Sequence, residues 1–209
     1  MLFSASDYYT LSKLTLHDSF PSFSGRSGNS KRVSSYVSVK NIVDSNIDGS
    51  EKRLLYSCVE RAHHESLRVA ITLGIPRKYW PNITHSRLRV LEYPPGTDNL
   101  PHADANMFTL TLYRNFQDTM FYPNDSRKTW PEHIQNEFRT GLVFGELMQL
   151  VMANKTVYPP TLHGVSKDMF ERSQYSVVYF AQPDGEAVLP GGITVADYVA
   201  ERQRNKGLI

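Results

Sequence analysis

The sequence predicts an α+β fold that is mainly β, and three observations carry that expectation. A single long apolar period of 3.6 residues runs from Ser50 to Gly74, the strongest helix signal in the chain. Beyond Pro76 the pattern changes to apolar runs at 88–93, 107–113, 141–150 and 175–180, divided by Pro, Gly and Asn-Asp turns. A last cluster, Ile193, Val195, Tyr198 and Val199, is followed by Glu201, Arg202, Arg204 and Lys206 and reads as a short charged surface helix. With 209 residues, 40% apolar and 11% aromatic, the chain can fill a core, and no shift in composition marks a second unit, so one domain over 1–209 is expected.

Taken in order, Met1 to Lys13 lacks a basic flank followed by an apolar run, and no apolar stretch reaches the roughly 18–20 residues of a bilayer span. Residues 19–35 are rich in Ser with Pro21, Gly25 and Gly28 and carry no period, which predicts a flexible loop, either plain surface or an active-site lid. Tyr36, Val37, Val39, Ile42 and Val43 form a β-branched run ahead of Asp48-Gly49 and predict one strand and a turn. In the helix that follows, Leu54, Leu55, Cys58, Val59, Ala62, Val69, Ala70 and Leu73 supply the apolar stripe, with Ser50 as N-cap and Gly74 as the stop. His63 and His64 lie within it about 100° apart around the axis, a poor arrangement for sharing one ion, and read as surface residues. The stretch 116–137, with Phe121, Tyr122, Trp130 and His133, reads as an insertion that either lids a site or packs over the sheet.

Lys and Arg number 23 against 21 Asp and Glu, a net charge of +2 without a basic block, so neither nucleic acid nor a membrane surface is indicated as a partner. The only cysteine, Cys58, can form neither an internal disulfide nor a multi-cysteine zinc site, which suits a reducing cytoplasmic setting.

The residues that carry chemistry begin at Pro101-His102-Ala103-Asp104-Ala105. On an extended strand positions i and i+2 project from one face, so His102 and Asp104 can present an imidazole nitrogen and a carboxylate oxygen to one cation. His163, in Thr161-Leu162-His163-Gly164-Val165, is the downstream candidate for a third ligand. Two histidines and one carboxylate occupy one face of an octahedral ion and leave positions open, the arrangement associated with non-haem Fe(II) and dioxygen. A His-x-Asp pair alone is a weak signal. His133 as a fourth ligand would close the site and is rejected on that ground.

The flanking segments add a resemblance. Leu91-Glu92-Tyr93-Pro94-Pro95, His102-Ala103-Asp104-Ala105, Phe144-Gly145-Glu146-Leu147-Met148-Gln149, Leu162-His163-Gly164-Val165, Gln174-Tyr175-Ser176 and Thr194-Val195-Ala196-Asp197-Tyr198-Val199 occur in order between about Leu54 and Arg202. In that order they resemble the motifs of the isopenicillin N synthase-like family of Fe(II)/2-oxoglutarate-dependent dioxygenases. The resemblance implies a double-stranded β-helix, or cupin-like jelly roll, with flanking helices and His102, Asp104 and His163 as iron ligands. It implies 2-oxoglutarate as co-substrate, dioxygen as oxidant, ascorbate as a reductant, and a small organic molecule hydroxylated, desaturated or cyclised while succinate and CO2 are released.

The sequence departs from that family at the co-substrate clamp. Gln174 stands where the family has the Arg of Arg-x-Ser, and a neutral amide cannot grip a carboxylate as a guanidinium does. Arg172, two residues earlier, is the expected substitute on an extended strand, with Ser176 and Tyr93 as further contacts; Leu91 replaces the family's Asn. Two alternatives stay open: an Fe(II) oxidase of the same family that does not use 2-oxoglutarate, and a jelly-roll binding module without turnover.

Overall fold

The computed structural model describes residues 2–15, 33–97, 99–115, 122–138, 141–152, 158–165 and 171–205. Its centre is a five-stranded, wholly antiparallel sheet in the order β1-β2-β7-β4-β5, built from Val33–Val37 (β1), Arg87–Tyr93 (β2), Gln174–Ala181 (β7), Phe108–Arg114 (β4) and Leu142–Phe144 (β5). A second, two-stranded sheet pairs Asn99–His102 (β3) with His163–Val165 (β6). The helices are Ala5–Thr15 (α1), Val39–Asp44 (α2), Gly49–Thr72 (α3), Glu132–Phe138 (α4), Glu146–Val151 (α5) and Val195–Asn205 (α6). Among the described residues, no helix is long and apolar enough to cross a membrane.

The two faces of the large sheet are chemically different, and the period of two explains why. Leu88 and Val90 of β2, Phe108, Leu110 and Leu112 of β4, and Val177, Tyr179 and Ala181 of β7 are all buried in the main core. The face they make is covered by α3, which packs across β2 and β7 through Leu55, Cys58, Val59, Ala62, Val69 and Ala70. The opposite face carries the alternate residues and lines the cavity described below.

The structure corrects several expectations at element ends. Helix α3 starts one residue before Ser50, and its cap is Asp48: the carboxylate accepts from the amides of Ser50 (2.6 Å) and Glu51 (3.0 Å), while Glu51 accepts from the Asp48 amide (3.2 Å). The Asp-Gly pair read as a turn is thus a capping box. Leu54 is 43% exposed and lies off the buried stripe. His64 is exposed, but His63 is half-buried, with Nδ1 3.4 Å from the Tyr179 hydroxyl. The run 36–43 is not one strand: β1 ends at Val37, and Ser38 accepts from the Asn41 amide (3.2 Å) and starts α2. A local side-chain cap there overrides β-branched propensity.

Part of the expected loop 19–35 is likewise β1, since Val33–Ser35 pair with Leu91–Glu92 and Val90; residues 19–32 lie outside the described residues. Helix α1 was not anticipated. It is announced by Ser4-x-x-Asp7, whose groups cap each other (Ser4 amide to Asp7 2.7 Å, Asp7 amide to Ser4 3.2 Å), and it buries Tyr8, which stacks on Tyr113 with centroids 5.5 Å apart.

In the 122–138 part of the insertion, Trp130 is buried against Phe144 (centroids 4.2 Å), so that aromatic is core, while His133 is exposed; Phe121 lies outside the described residues. The run 141–150 divides into β5 and α5 at Gly145. There a side chain would collide with the Asn106 backbone, because the first turn of α5 is packed onto the loop after Asp104. Three bonds fix it: the amides of Gly145, Glu146 and Leu147 donate to the carbonyls of Met107 (2.9 Å), Asp104 (2.8 Å) and Asn106 (3.2 Å). Arg202 of α6 grips the Glu146 carboxylate with two bonds (2.6 and 2.7 Å).

The α3 cap yields a check on these energetics. Asp48→Ala is expected to lower stability, read as a lower urea midpoint, without changing divalent-metal affinity.

Candidate metal centre

His102 and His163 are direct cross-strand partners in the small sheet, with ring centroids 4.6 Å apart. Each imidazole is oriented in the same way. Nδ1 of His102 lies 2.9 Å from the Leu100 carbonyl, and Nδ1 of His163 lies 3.0 Å from the Thr161 carbonyl. A carbonyl can only accept, so each Nδ1 carries its proton there and each Nε2 is left as a lone-pair donor, the tautomer a metal needs.

Asp104 completes the triangle. His102 Nε2 is 3.7 Å from Asp104 Oδ1, His163 Nε2 is 3.9 Å from Oδ2, and one ligand atom from each residue falls within 4.8 Å of the others. Adjacent ligand atoms on an ion with bonds of about 2.1 Å stand about 3 Å apart, so the three groups bracket a single small divalent ion. The donor set, two neutral nitrogens and one carboxylate oxygen, fits a first-row metal of intermediate softness.

A polar chain holds the carboxylate. Asn106 Nδ2 donates to the Thr109 hydroxyl (2.8 Å), which in turn donates to Asp104 Oδ2 (2.6 Å). Burial alone would raise the Asp104 carboxyl, but the positive charge that His163 and His102 carry when protonated, the Thr109 hydroxyl and Arg89 together hold it below the usual carboxylate range. The group is therefore an anion, ready to ligate.

The triad opens into a cavity on the second face of the large sheet. β2 contributes Arg89, Leu91 and Tyr93; β7 contributes Ser176, Val178 and Phe180; β4 contributes Thr109, Thr111 and Arg114. Three of the expected site residues meet at the triad, and two more, Tyr93 and Ser176, line this cavity, both buried.

Arg172 does not line it. It is exposed, in a bend before β7 begins at Gln174, and its backbone carbonyl accepts a bond from Gln174 Nε2 (3.4 Å). The alternation that would have put Arg172 on the face of Ser176 requires extended backbone at residue 172, which is absent.

Two other arginines reach the cavity. Arg89 is 8% exposed and lies over the Tyr36 ring (4.7 Å) and near the Phe180 ring (6.0 Å). Simple alternation from Tyr93 and Leu91 points to it. Arg114 could not be found that way. Counting from Thr109 and Thr111, position 113 should face the cavity, but the β4–β7 register slips between Thr111 and Tyr113. The bulge leaves Tyr113 packed with the helix-side core and turns Arg114 into the cavity as the pairing partner of Ser176.

The carboxylate chain gives a direct check. Thr109→Val should weaken Mn(II) binding by about 10- to 100-fold in a calorimetric titration while the chain keeps its circular dichroism spectrum.

No protein-family model and no curated protein sequence matches the chain. Solved structures do. It is similar to a full-length Neurospora crassa protein solved in complex with alpha-KG, at TM-score 0.62 and 14% identity, covering 95% of this chain and 82% of that one. It is similar to the dioxygenase for auxin oxidation of rice, at TM-score 0.53 and 14% identity, covering 97% and 80%. A third is JOX2 in complex with 2OG, Fe and JA, at TM-score 0.52 and 15% identity, covering 82% and 60%. At these identities the likeness establishes a shared fold.

Proposed function

We propose that this chain is an Fe(II)- and 2-oxoglutarate-dependent oxygenase of a small organic molecule. The observation that carries the reading is the meeting of His102, Asp104 and His163 at one end of a cavity whose other end holds Ser176 and Arg114. On this reading the two sheets are the faces of a single-domain double-stranded β-helix of the isopenicillin N synthase-like kind. The printed ligands of two of the similar structures, alpha-KG in one and 2OG with Fe in another, support the pairing of metal and co-substrate.

Iron held by the triad, with dioxygen, supplies the chemistry that couples decarboxylation of 2-oxoglutarate to succinate and CO2 with oxidation of a second substrate. The protein's part is placement. The Nδ1 bonds to Leu100 and Thr161 keep both imidazoles aimed inward, and the Thr109 hydroxyl holds one carboxylate oxygen of Asp104 in place. With His102, Asp104 and His163 as its three protein ligands, an ion would keep open positions for the keto acid and the oxidant.

The far carboxylate of the co-substrate is assigned to Arg114, Ser176 and Tyr93. Ser176 stands four residues along β7 from Phe180, the partner of Thr109 at the metal end, about 13 Å of extended chain. Arg114, opposite Ser176, supplies from the neighbouring strand the guanidinium that Gln174 cannot. This also weighs against the oxidase reading, which leaned on the missing Arg: the cavity does contain a cation beside Ser176.

Anaerobic addition of 2-oxoglutarate to the Fe(II)-loaded chain should produce a weak visible metal-to-ligand band, and aerobic incubation should yield succinate; absence of both refutes the reading. His163→Ala should abolish succinate formation while leaving the chain folded by circular dichroism. Arg114→Gln should raise the KM for 2-oxoglutarate by about tenfold or more, and Arg172→Gln should leave it within about twofold.

A further inference from the structure

We infer that the Thr161 hydroxyl is a positioning group of the metal centre: it takes the Phe144 amide and thereby releases the Thr161 carbonyl to hold His163. The inference rests on the triad being a metal site, as proposed above, and goes one step beyond it.

The requirement starts at Phe144. It ends β5, which among the described residues lies at one edge of the large sheet, and it is fully buried, so its outward amide and carbonyl both need partners. An adjoining antiparallel strand would meet them with two main-chain bonds, amide to carbonyl in each direction. Thr161 supplies one of these and replaces the other. Its amide donates to the Phe144 carbonyl (2.9 Å), but the Phe144 amide donates to the Thr161 hydroxyl (3.1 Å). The side chain stands in for the main chain, and the Thr161 carbonyl is left to accept from His163 Nδ1 (3.0 Å).

Both ends of this latch are enclosed. The Phe144 ring packs on Trp130 (centroids 4.2 Å) and on Tyr158 (5.1 Å), and Thr161 is itself fully buried. An amide buried there without its acceptor is costly. Without the hydroxyl, the Phe144 amide can complete the ordinary pair only by drawing on the Thr161 carbonyl, in competition with the imidazole.

His163 is the ligand that would suffer most from that competition. Its side chain is 8% exposed against 34% for His102, so water cannot readily replace a lost carbonyl. With Nδ1 unheld, the proton is free to move to Nε2 and the ring is free to turn, and the lone pair aimed at the ion is lost.

The test uses the full chain and two readouts. In the metal-free chain at alkaline pH, nitrogen NMR of the imidazoles should show His163 protonated on Nδ1 in the wild type, with an Nε2-protonated fraction emerging in Thr161→Val. Calorimetric titration should show Mn(II) affinity falling about tenfold or more in Thr161→Val. Thr161→Ser keeps the acceptor and should hold the wild-type tautomer with a smaller loss of affinity than that. Asp48→Ala, destabilised at a distance, should move neither readout, which separates positioning from a general loss of stability. A smaller loss or an unchanged tautomer in Thr161→Val, a Thr161→Ser as impaired as the valine variant, or the same shift in Asp48→Ala overturns the assignment. If Thr161→Val does not fold, Thr161→Cys, whose sulfur is a weak acceptor, takes its place under the same criteria. If the wild-type chain itself does not bind Mn(II), it is the metal-centre reading that fails. The tautomer of the metal-free variant then decides the role of the hydroxyl: a shift supports it, and none overturns it.

Discussion

The site depends on one piece of backbone pairing, the short antiparallel contact that sets residue 102 of β3 opposite residue 163 of β6. Sixty-one positions apart in sequence, the two imidazoles become neighbours because opposed residues in an antiparallel ladder bring their side chains within a few ångströms on one face. The carbonyls that fix their tautomers come from residues 100 and 161, two positions before each histidine. The same local device is therefore used twice, once on each strand. Main-chain carbonyls orient the two imidazoles, and Asp104 has side-chain support from Thr109 and Asn106.

The large sheet performs a sorting task. Its helix side takes the aliphatic and aromatic half of each strand, and its other side takes Arg, Thr, Ser and Tyr together with a few apolar residues. Exposing polar groups to a cavity rather than to the core avoids the penalty of burying them unsatisfied. A single irregularity in β4 breaks the regular sorting, and it turns Arg114 toward the cavity opposite Ser176. Bulges commonly stand beside sites for this reason, since one extra residue re-aims everything after it on the strand.

Much of this was legible in the sequence, and the parts that were not share a cause. The i, i+2 spacing of His102 and Asp104 needs only a strand, and the order of the flanking segments pointed to His163. The helix over 49–72 was plain from its stripe, although its cap was misplaced by two residues because Asp48-Gly49 is equally good turn chemistry. Arg172 was misjudged because alternation was extended beyond the end of β7, and Arg114 was missed because a bulge leaves no mark in a single sequence. Arg89, by contrast, was readable: it shares the period-two face of Leu91 and Tyr93. Helix α2 shows the reverse error, where Val39, Ile42 and Val43 suggest a strand and the hydroxyl of Ser38 decides for a helix.

The grip of Arg202 on Glu146 reaches further than a surface ion pair ordinarily does. Glu146 donates its amide to the carbonyl of Asp104, so the closing helix, the start of α5 and a ligand-bearing loop form one continuous mechanical link. The carboxy-terminal helix thus braces the coordination sphere from outside. Loosening of α6 by local unfolding on warming would be transmitted as slack in the Asp104 carboxylate, well before the sheets themselves come apart.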